Sequence, residues 1–252
     1  MMTSRYQIVT LKLYQQIIKR LANFRHALPH CCLLCNEQTS HYKNQLCNVC
    51  REDLPFPPQL CIGCSKTLMT QTKWCGQCQQ SQPPFPLVTA CYYQTPIKQL
   101  LGALKYRQQT IVCHELARHL ARRIFQLINQ QLIEKPQAIM PVPLHWQRQY
   151  SRGFNQAHLI ALELSAYLEI PIITPMKRIK NTTSQASLDA QQRCHNLDNA
   201  FKLTEDINVD SIAIVDDVYT TGATMREMSE TILHKRSINI QHWAIARTII
   251  SD

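Results

Sequence analysis

The spacing of the cysteines between residues 32 and 78 constrains the possible folds of this chain more than any other feature. Eight of them form four pairs, and each pair has two residues between its members. This spacing aims two sulfurs at one ion, and two such pairs complete a tetrahedral four-thiolate site. A short segment with few aliphatic residues needs such a metal site in order to fold. The cysteines are Cys32, Cys35, Cys47, Cys50, Cys61, Cys64, Cys75 and Cys78.

The pattern predicts two closed structural zinc sites, with the first pair joined to the second and the third joined to the fourth. An interleaved pairing is the alternative, and so is a site in which Cys31 replaces Cys32. Iron–sulfur proteins use other spacings, and a redox motif would need only one pair in a βαβ context. Cys91, Cys113 and Cys194 lie outside the pattern and are predicted to be ordinary buried thiols.

No segment of the sequence is predicted to cross a membrane. The most apolar N-terminal stretch, residues 8–28, is interrupted by four Lys or Arg residues, whereas a membrane span needs about 20 apolar residues. The stretch also lacks the features of a signal peptide. The expected compartment is therefore the cytoplasm, where cysteines hold metals more often than they form structural disulfides.

The chain is basic, with a formal net charge of +10. This charge fits a polyanionic partner, and it fits a soluble basic protein equally well. Within residues 8–28, apolar side chains recur every three or four positions with basic residues between them, which predicts a basic amphipathic helix. We expect this helix to dock on the protein itself; an anionic membrane surface or nucleic acid is the alternative.

Composition divides the chain into four predicted segments. These are a basic amphipathic helix in 1–29, a double zinc ribbon in 30–80, a proline-containing linker in 81–86 and a second domain in 87–252. In the second domain, short apolar runs alternate with amphipathic helices, which predicts an α/β fold with a mostly parallel sheet. The expected strands are 87–93, 137–142, 172–173, 211–215 and 240–245, and the expected helices are 96–106, 111–132, 155–168 and 223–235.

The stretch from Ile212 to Thr224 predicts a ligand site. A buried strand runs into Asp216 and Asp217, and ligands bind at the carboxyl ends of parallel strands. The turn that follows begins a helix, whose unpaired N–H groups and positive dipole end attract phosphate. We expect this turn to hold a sugar 5′-phosphate while the acids hold the ribose hydroxyls, with hydroxyl donors or Mg²⁺ relieving their repulsion. The turn consists of Thr220, Thr221, Gly222, Ala223 and Thr224. A solvated strand end with an N-capping turn is the alternative.

Residues 212–224 resemble the phosphoribosyl-pyrophosphate (PRPP) motif of type I phosphoribosyltransferases. The chain as a whole resembles the competence protein F (ComF) family, also seen in GntX-like proteins, which joins a double zinc ribbon to a phosphoribosyltransferase-like domain. Further signatures are Leu104–Tyr106, 142–157 and 185–201. The resemblance implies a glycosyl transfer, in which a nitrogen nucleophile displaces pyrophosphate from PRPP and Mg²⁺ neutralises the leaving group. It also implies a link to DNA uptake.

Pyrophosphate is expected to bind at the irregular loop that follows Val142. Arg148 and Arg152 lie four residues apart in this loop and could bracket a charged leaving group; a solvated basic loop is the alternative. Lys105 is a further candidate for a phosphate contact. Residues 180–195 are expected to form a mobile hood over the site.

The acceptor of the reaction cannot be read from the motif. Purine-salvage enzymes place a carboxylate near the nucleobase where this chain has Thr220, so no general base is evident. We expect His145, His158 and His195 to be surface residues. Two functions therefore remain open: a phosphoribosyltransferase, or a non-catalytic module. The module would bind single-stranded DNA, in part through Trp74, or a helicase-like competence partner.

Overall fold

The structure is a computed structural model, and it describes residues 31–39, 46–70, 72–106, 111–147, 150, 153–180 and 200–249. The side chains of residues 105, 106 and 111 are also outside the description. The chain forms two compact units, Met1–Leu54 and Pro55–Asp252. This division falls inside the predicted ribbon range of 30–80, and the predicted domain boundaries stay predictions. The predicted helix of residues 8–28 lies outside the described residues.

In the described part of the first unit, residues 31–39 and 46–54, there is one short helix, α1 (Asn48–Glu52). It begins directly after Cys47, whose sulfur accepts a hydrogen bond from the backbone N–H of Cys50 at 3.4 Å. An isolated antiparallel bridge joins Cys31 to Gln38. The described part of this unit is therefore organised around its cysteines rather than around a hydrophobic core.

The second unit holds an α/β arrangement. Its elements are α2 (Gly76–Gln80), β1 (Leu87–Tyr92), α3 (Ile97–Tyr106), α4 (Ile111–Asn129), β2 (Ala138–Pro141), α5 (Gln156–Leu168), β3 (Met176–Arg178), β4 (Phe201–Leu203), β5 (Ser211–Tyr219), α6 (Ala223–Leu233) and β6 (Asn239–Arg247). Four strands form a parallel sheet in the order β1-β6-β5-β2, and β3 pairs with β4 in a separate antiparallel ribbon. The predicted fold class is confirmed.

The parallel sheet is covered on both faces, which explains why its strands read as continuous apolar runs. Seven successive residues of β6 are buried. On one face, Met225 and Met228 of α6 pack in a cluster with Ile212 and Ile214 of β5. The predicted apolar face of α4 is also found, because Leu116, Leu120 and Ile124 are fully buried.

Strand β5 is longer than the sequence predicts. It continues four residues past the expected end at Val215, because its pairing with β6 extends as far as Tyr219 and Arg247. Asp216 and Asp217 therefore lie inside a strand and not at its end. Helix α4, in contrast, ends at Asn129 rather than at residue 132, and Gln131 then adopts a left-handed conformation with φ 54°.

Candidate functional site

The first cysteine group consists of Cys32, Cys35, Cys47 and Cys50, whose sulfurs all lie within 4.8 Å of one another. The sulfurs of Cys35 and Cys47 are 3.6 Å apart, close to the separation of about 3.8 Å that two ligands of a tetrahedral zinc ion have. Cys31 is exposed and lies outside the group. The structure brings the first two knuckles together, as predicted, and Cys32 rather than Cys31 lies in the group.

The second group has the same design and consists of Cys61, Cys64, Cys75 and Cys78. The backbone N–H groups of Gly63 and Cys75 donate to the Cys61 sulfur at 3.4 and 3.2 Å. A hydrogen bond from Cys64 has the largest effect on the pKa of the Cys61 thiol. Together with these amides it outweighs burial and lowers the pKa of the Cys61 thiol to about 4. Four convergent sulfurs with a stabilised thiolate fit a structural zinc ion.

Both groups use a left-handed residue directly after the second cysteine of a knuckle. Asn36 has φ 61° and Ser65 has φ 54°, and their N–H groups donate to the carbonyls of Cys32 and Cys61. The sequence predicts this role for Asn36, which tolerates the conformation better than most residues. The equivalent role of Ser65 has no such signal in its residue type.

The loop that carries the second group is hydrogen-bonded to the parallel sheet. The hydroxyl of Ser65 donates to the Leu87 carbonyl at 2.9 Å, and the Leu87 N–H donates to the Ile62 carbonyl at 2.8 Å. The Tyr92 hydroxyl accepts from the backbone N–H of Thr67 at 2.7 Å. This group is therefore part of the same compact unit as the sheet.

The two acids of β5 lie on opposite faces of the sheet, because successive strand residues alternate in direction. Asp216 is on the face of Ile212 and Ile214, which α6 covers. Asp217 is on the other face and only 8% exposed. Its charge acts on Cys113 of α4: burial first, then the charges of Glu163 and Asp217, raise the pKa of that thiol to about 12. Two adjacent acids at the predicted end of a strand give no sign of this separation in the sequence.

The acids border a step in the carboxyl edge of the sheet. On one side, β2 pairs only as far as Val215, whose carbonyl accepts from the Val142 N–H at 2.9 Å. On the other side, β6 continues alongside both acids. The carboxylate of Asp216 also accepts the N–H of Asp217 at 2.8 Å. Asp216 and Asp217 are therefore the first β5 residues beyond the end of β2.

The turn after β5 ends in a left-handed glycine at the start of α6. Gly222 has φ 74°, and a Cβ added there would overlap the hydroxyl of Tyr219. The N-cap residue of α6 is Gly222, which has no side chain that could cap the helix. The nearest substitute is a long hydrogen bond of 3.4 Å from the Ala223 N–H to Thr221. The first N–H groups of α6 thus remain suited to a phosphate.

The remaining predicted residues are only partly described. Arg148 and Arg152 lie outside the described residues, as does nearly all of the predicted hood. Lys105 is within α3, but its side chain is not described. Their assignment to pyrophosphate stays a prediction.

One predicted surface residue, His145, differs from expectation, and Trp74 is partly engaged within the protein. His145, expected at the surface, is 5% exposed, and its ring lies 5.6 Å from that of Trp146. Trp74, considered as a DNA contact, packs its ring against Gly63 within the second cysteine group. Cys91 and Cys113 are buried as predicted. None of the helices in the described ranges has the length and apolarity that a membrane span requires.

Two four-cysteine groups that are compatible with structural zinc, together with a parallel α/β domain, define the class of protein to which this chain belongs. Competence protein F of Haemophilus influenzae is 34% identical over 221 residues, which span 86% of this chain and 96% of that protein. DNA utilization protein YhgH of Escherichia coli is 31% identical over 224 residues, or 88% and 99% of the two chains. The chain belongs to the competence protein F family.

A more distant sequence relative agrees with this assignment, whereas the similarity to solved structures is too low to support a conclusion. Competence protein ComFC of Bacillus subtilis is 25% identical over 159 residues, 62% of each chain. Adenine phosphoribosyltransferase from Saccharomyces cerevisiae aligns with 55% of this chain and 69% of its own, at 14% identity and a TM-score of 0.35. No protein-family model matches the chain. Family membership therefore rests on the sequence relatives.

Proposed function

We propose that the protein binds PRPP at the carboxyl edge of β5 and transfers its phosphoribosyl group to a nitrogen acceptor. One observation carries this proposal: the turn at the start of α6 places a left-handed Gly222, which has no capping side chain, at the helix N-terminus. This turn follows Asp216 and lies on the same face of the sheet. The names of the relatives, which refer to competence and DNA utilization, support a role for this activity in DNA uptake.

Each part of the site has a role in the proposed reaction. Backbone N–H groups of Thr220 to Thr224 bind the 5′-phosphate, and the carboxylate of Asp216, on the same face of the sheet as the turn, orients the ribose hydroxyls. A bond forms between C1′ and the acceptor nitrogen while the bond from C1′ to pyrophosphate breaks. Pyrophosphate leaves with the electron pair, and the proton of the nitrogen passes to water.

Mg²⁺ suits this site because carboxylate and phosphate oxygens are its preferred ligands. When bound, it would neutralise charge that develops on the pyrophosphate. Asp216 is the carboxylate at the step that fits such an ion, and Arg148 and Arg152 remain the predicted cationic contacts of the leaving group. These arginines would hold the pyrophosphate oxygens in pairs of hydrogen bonds.

Calorimetric titration with PRPP and Mg²⁺ tests the binding step. We expect Asp216→Asn to bind PRPP about 10- to 100-fold more weakly, because a charge-assisted hydrogen bond contributes about 1.5–3 kcal/mol. Asp206→Asn, a matched change at an exposed residue, should bind like the wild type. Equal PRPP affinity in all three proteins, or no binding by the wild type, would contradict the site assignment.

Release of pyrophosphate in the presence of a panel of nitrogen bases tests turnover separately. The enzyme hypothesis predicts release that depends on both the base and Asp216. A protein that binds PRPP but releases no pyrophosphate with any base would favour a non-catalytic module.

A second candidate function is binding of single-stranded DNA. A pocket of about 910 Å³ beside β3 is lined by Trp146, which is 68% exposed, and by Lys177 and Arg178. An exposed aromatic ring beside cations is the arrangement on which unpaired bases stack. The predicted helicase-like partner has no comparable observation in its favour.

The measurement for this candidate is oligothymidylate affinity at several salt concentrations. Trp146→Ala should weaken binding by about 1–3 kcal/mol, as loss of one stacked base does, while Phe125→Ala, at a 48% exposed ring elsewhere, should not. The affinity of the wild type should fall steeply with salt because phosphate contacts release counterions. An affinity that ignores salt, or equal effects of the two substitutions, would reject this site.

A further inference from the structure

The second cysteine group forms one wall of a pocket of about 520 Å³. This knuckle pocket is lined by Cys64 and Cys78 of the group, by Lys66 in the same loop, and by Tyr92 and Arg247 at the carboxyl ends of β1 and β6. Its volume lies in the range of small-molecule sites. The zinc loop therefore does more than stabilise the fold, because it encloses space at the ligand-binding edge of the sheet.

The wall of the knuckle pocket is held in place by hydrogen bonds. Tyr92, which lines the pocket, accepts the N–H of Thr67 at 2.7 Å and also bonds to its side-chain hydroxyl at 2.9 Å. Ser65, next to Lys66, donates to the Leu87 carbonyl. A pocket with such fixed walls is preorganised for a ligand.

The knuckle pocket adjoins the turn that is proposed to hold the 5′-phosphate. Arg247 is the register partner of Tyr219, the last residue of β5, and neighbouring strands are about 4.8 Å apart. The next residue, Thr248, donates its N–H to the Tyr219 carbonyl at 3.0 Å and its hydroxyl to the Thr220 carbonyl at 3.4 Å. The knuckle pocket and the turn therefore lie beside neighbouring strands at the same edge of the sheet.

The charges around the knuckle pocket favour a neutral polar ligand. Four thiolates on Zn²⁺ carry a net charge of −2, which the cations of Lys66 and Arg247 offset. None of the described lining residues is Asp or Glu. Pro83 and Ile249 add apolar surface. Cationic donors beside apolar walls match a planar heterocycle with carbonyl or ring-nitrogen acceptors, as in the contacts that Arg and Lys make with guanine.

We infer that the knuckle pocket is the acceptor site and takes a nucleobase-like nitrogen heterocycle, with Lys66 and Arg247 as its recognition residues. This inference rests on the proposed function, since the acceptor must approach C1′ of a ribose whose phosphate occupies the neighbouring turn. The second zinc group then has a direct part in substrate binding, because its loop supplies the wall against which the heterocycle lies.

The test compares ribose 5-phosphate with the 5′-monophosphates of adenosine, guanosine, inosine, cytidine and uridine as calorimetric probes on the zinc-loaded full chain. Ribose 5-phosphate occupies only the turn, whereas each nucleotide also carries a base. We expect at least one nucleotide to bind tenfold or more tightly than ribose 5-phosphate. Lys66→Ala and Arg247→Gln should each remove most of that gain while leaving the affinity for ribose 5-phosphate unchanged.

Lys73→Ala is the matched control, because Lys73 lies in the same loop but over the Trp74 ring and outside the knuckle pocket. Zinc content measured on each variant excludes loss of the metal as the cause. If ribose 5-phosphate binds but no nucleotide binds more than twofold better, the inference is overturned and the proposed function stands. A gain that survives both substitutions also overturns it. If the wild type binds none of the probes, the proposed function fails as well.

Discussion

At the scale of single residues, Gly222 connects the sequence motif to the proposed phosphate site. Its φ of 74° and its contact with the Tyr219 hydroxyl leave no room for a Cβ. Gly222→Ala should therefore displace the turn, lower the unfolding free energy by about 1–3 kcal/mol and abolish binding of ribose 5-phosphate. Denaturant titration and calorimetry measure the two effects.

Gly102→Ala is the control for this substitution, since a Cβ at that position in α3 meets no atom within 4 Å. Replacing a helical glycine by alanine stabilises by about 0.5–1 kcal/mol. A Gly222→Ala protein that binds the sugar phosphate normally would show that the turn is not the phosphate site.

A buried histidine gives the fold a specific acid sensitivity. His242 is 2% exposed, and burial, with the charge of Arg226 in addition, lowers its pKa from 6.5 to about 3. The Ser229 hydroxyl donates to the Met225 carbonyl, so it accepts from Nε2 of His242. The folded state therefore requires the neutral imidazole, while the unfolded chain takes up a proton below pH 6.5.

The sign of the pH effect follows from this depressed pKa. Stability that is fully present above pH 6.5 should be lost as the pH falls from 6.5 toward 3, by up to about 1.4 kcal/mol per pH unit. Release of zinc in acid affects the wild type and a His242→Gln variant alike. The difference between their unfolding free energies should therefore shrink between pH 7 and 4.5. A constant difference across this range would contradict the prediction.

At the scale of secondary-structure elements, the proposed site lies at the step beside β5, and the sequence could predict only part of this step. The alternation of apolar runs and helices was enough to predict the parallel sheet. The end of β5 was predicted incorrectly because Asp216 and Asp217 are poor strand formers, and only pairing with β6 keeps them in the strand. The strands β3 and β4 have three residues each, too few for a recognisable period.

The attachment of the zinc loop to β1 provides a test at this scale. Tyr92→Phe removes the acceptor for the Thr67 N–H and should cost about 1 kcal/mol locally. We therefore expect amide hydrogen exchange at Thr67 to become several-fold faster. Tyr93→Phe is the neighbouring control. Unchanged exchange at Thr67 would mean that this hydrogen bond does not hold the loop on the sheet.

At the scale of the whole molecule, the two cysteine groups differ in role although their sequence patterns are alike. The pattern predicted the grouping that the structure shows, but it left open an interleaved pairing and a site in which Cys31 replaces Cys32. It could not predict that the second group belongs to the Pro55–Asp252 unit. That attachment depends on side chains such as Ser65 and Tyr92, which have no metal-related signal.

Removal of each zinc ion separately should therefore have different consequences. Cys61→Ser with Cys64→Ser should halve the bound zinc, lower the melting temperature of the α/β domain and weaken nucleotide binding, because the loop forms part of that domain. Cys32→Ser with Cys35→Ser should halve the zinc equally but leave both properties of the Pro55–Asp252 unit near the wild-type values. Metal analysis, thermal unfolding followed through the fully buried Trp243 and calorimetry measure these outcomes.

Equal damage from the two double substitutions would mean that the first group also supports the α/β domain. Equal tolerance would mean that the second zinc ion is dispensable for that domain, because the hydrogen bonds to β1 would then be sufficient to hold the loop.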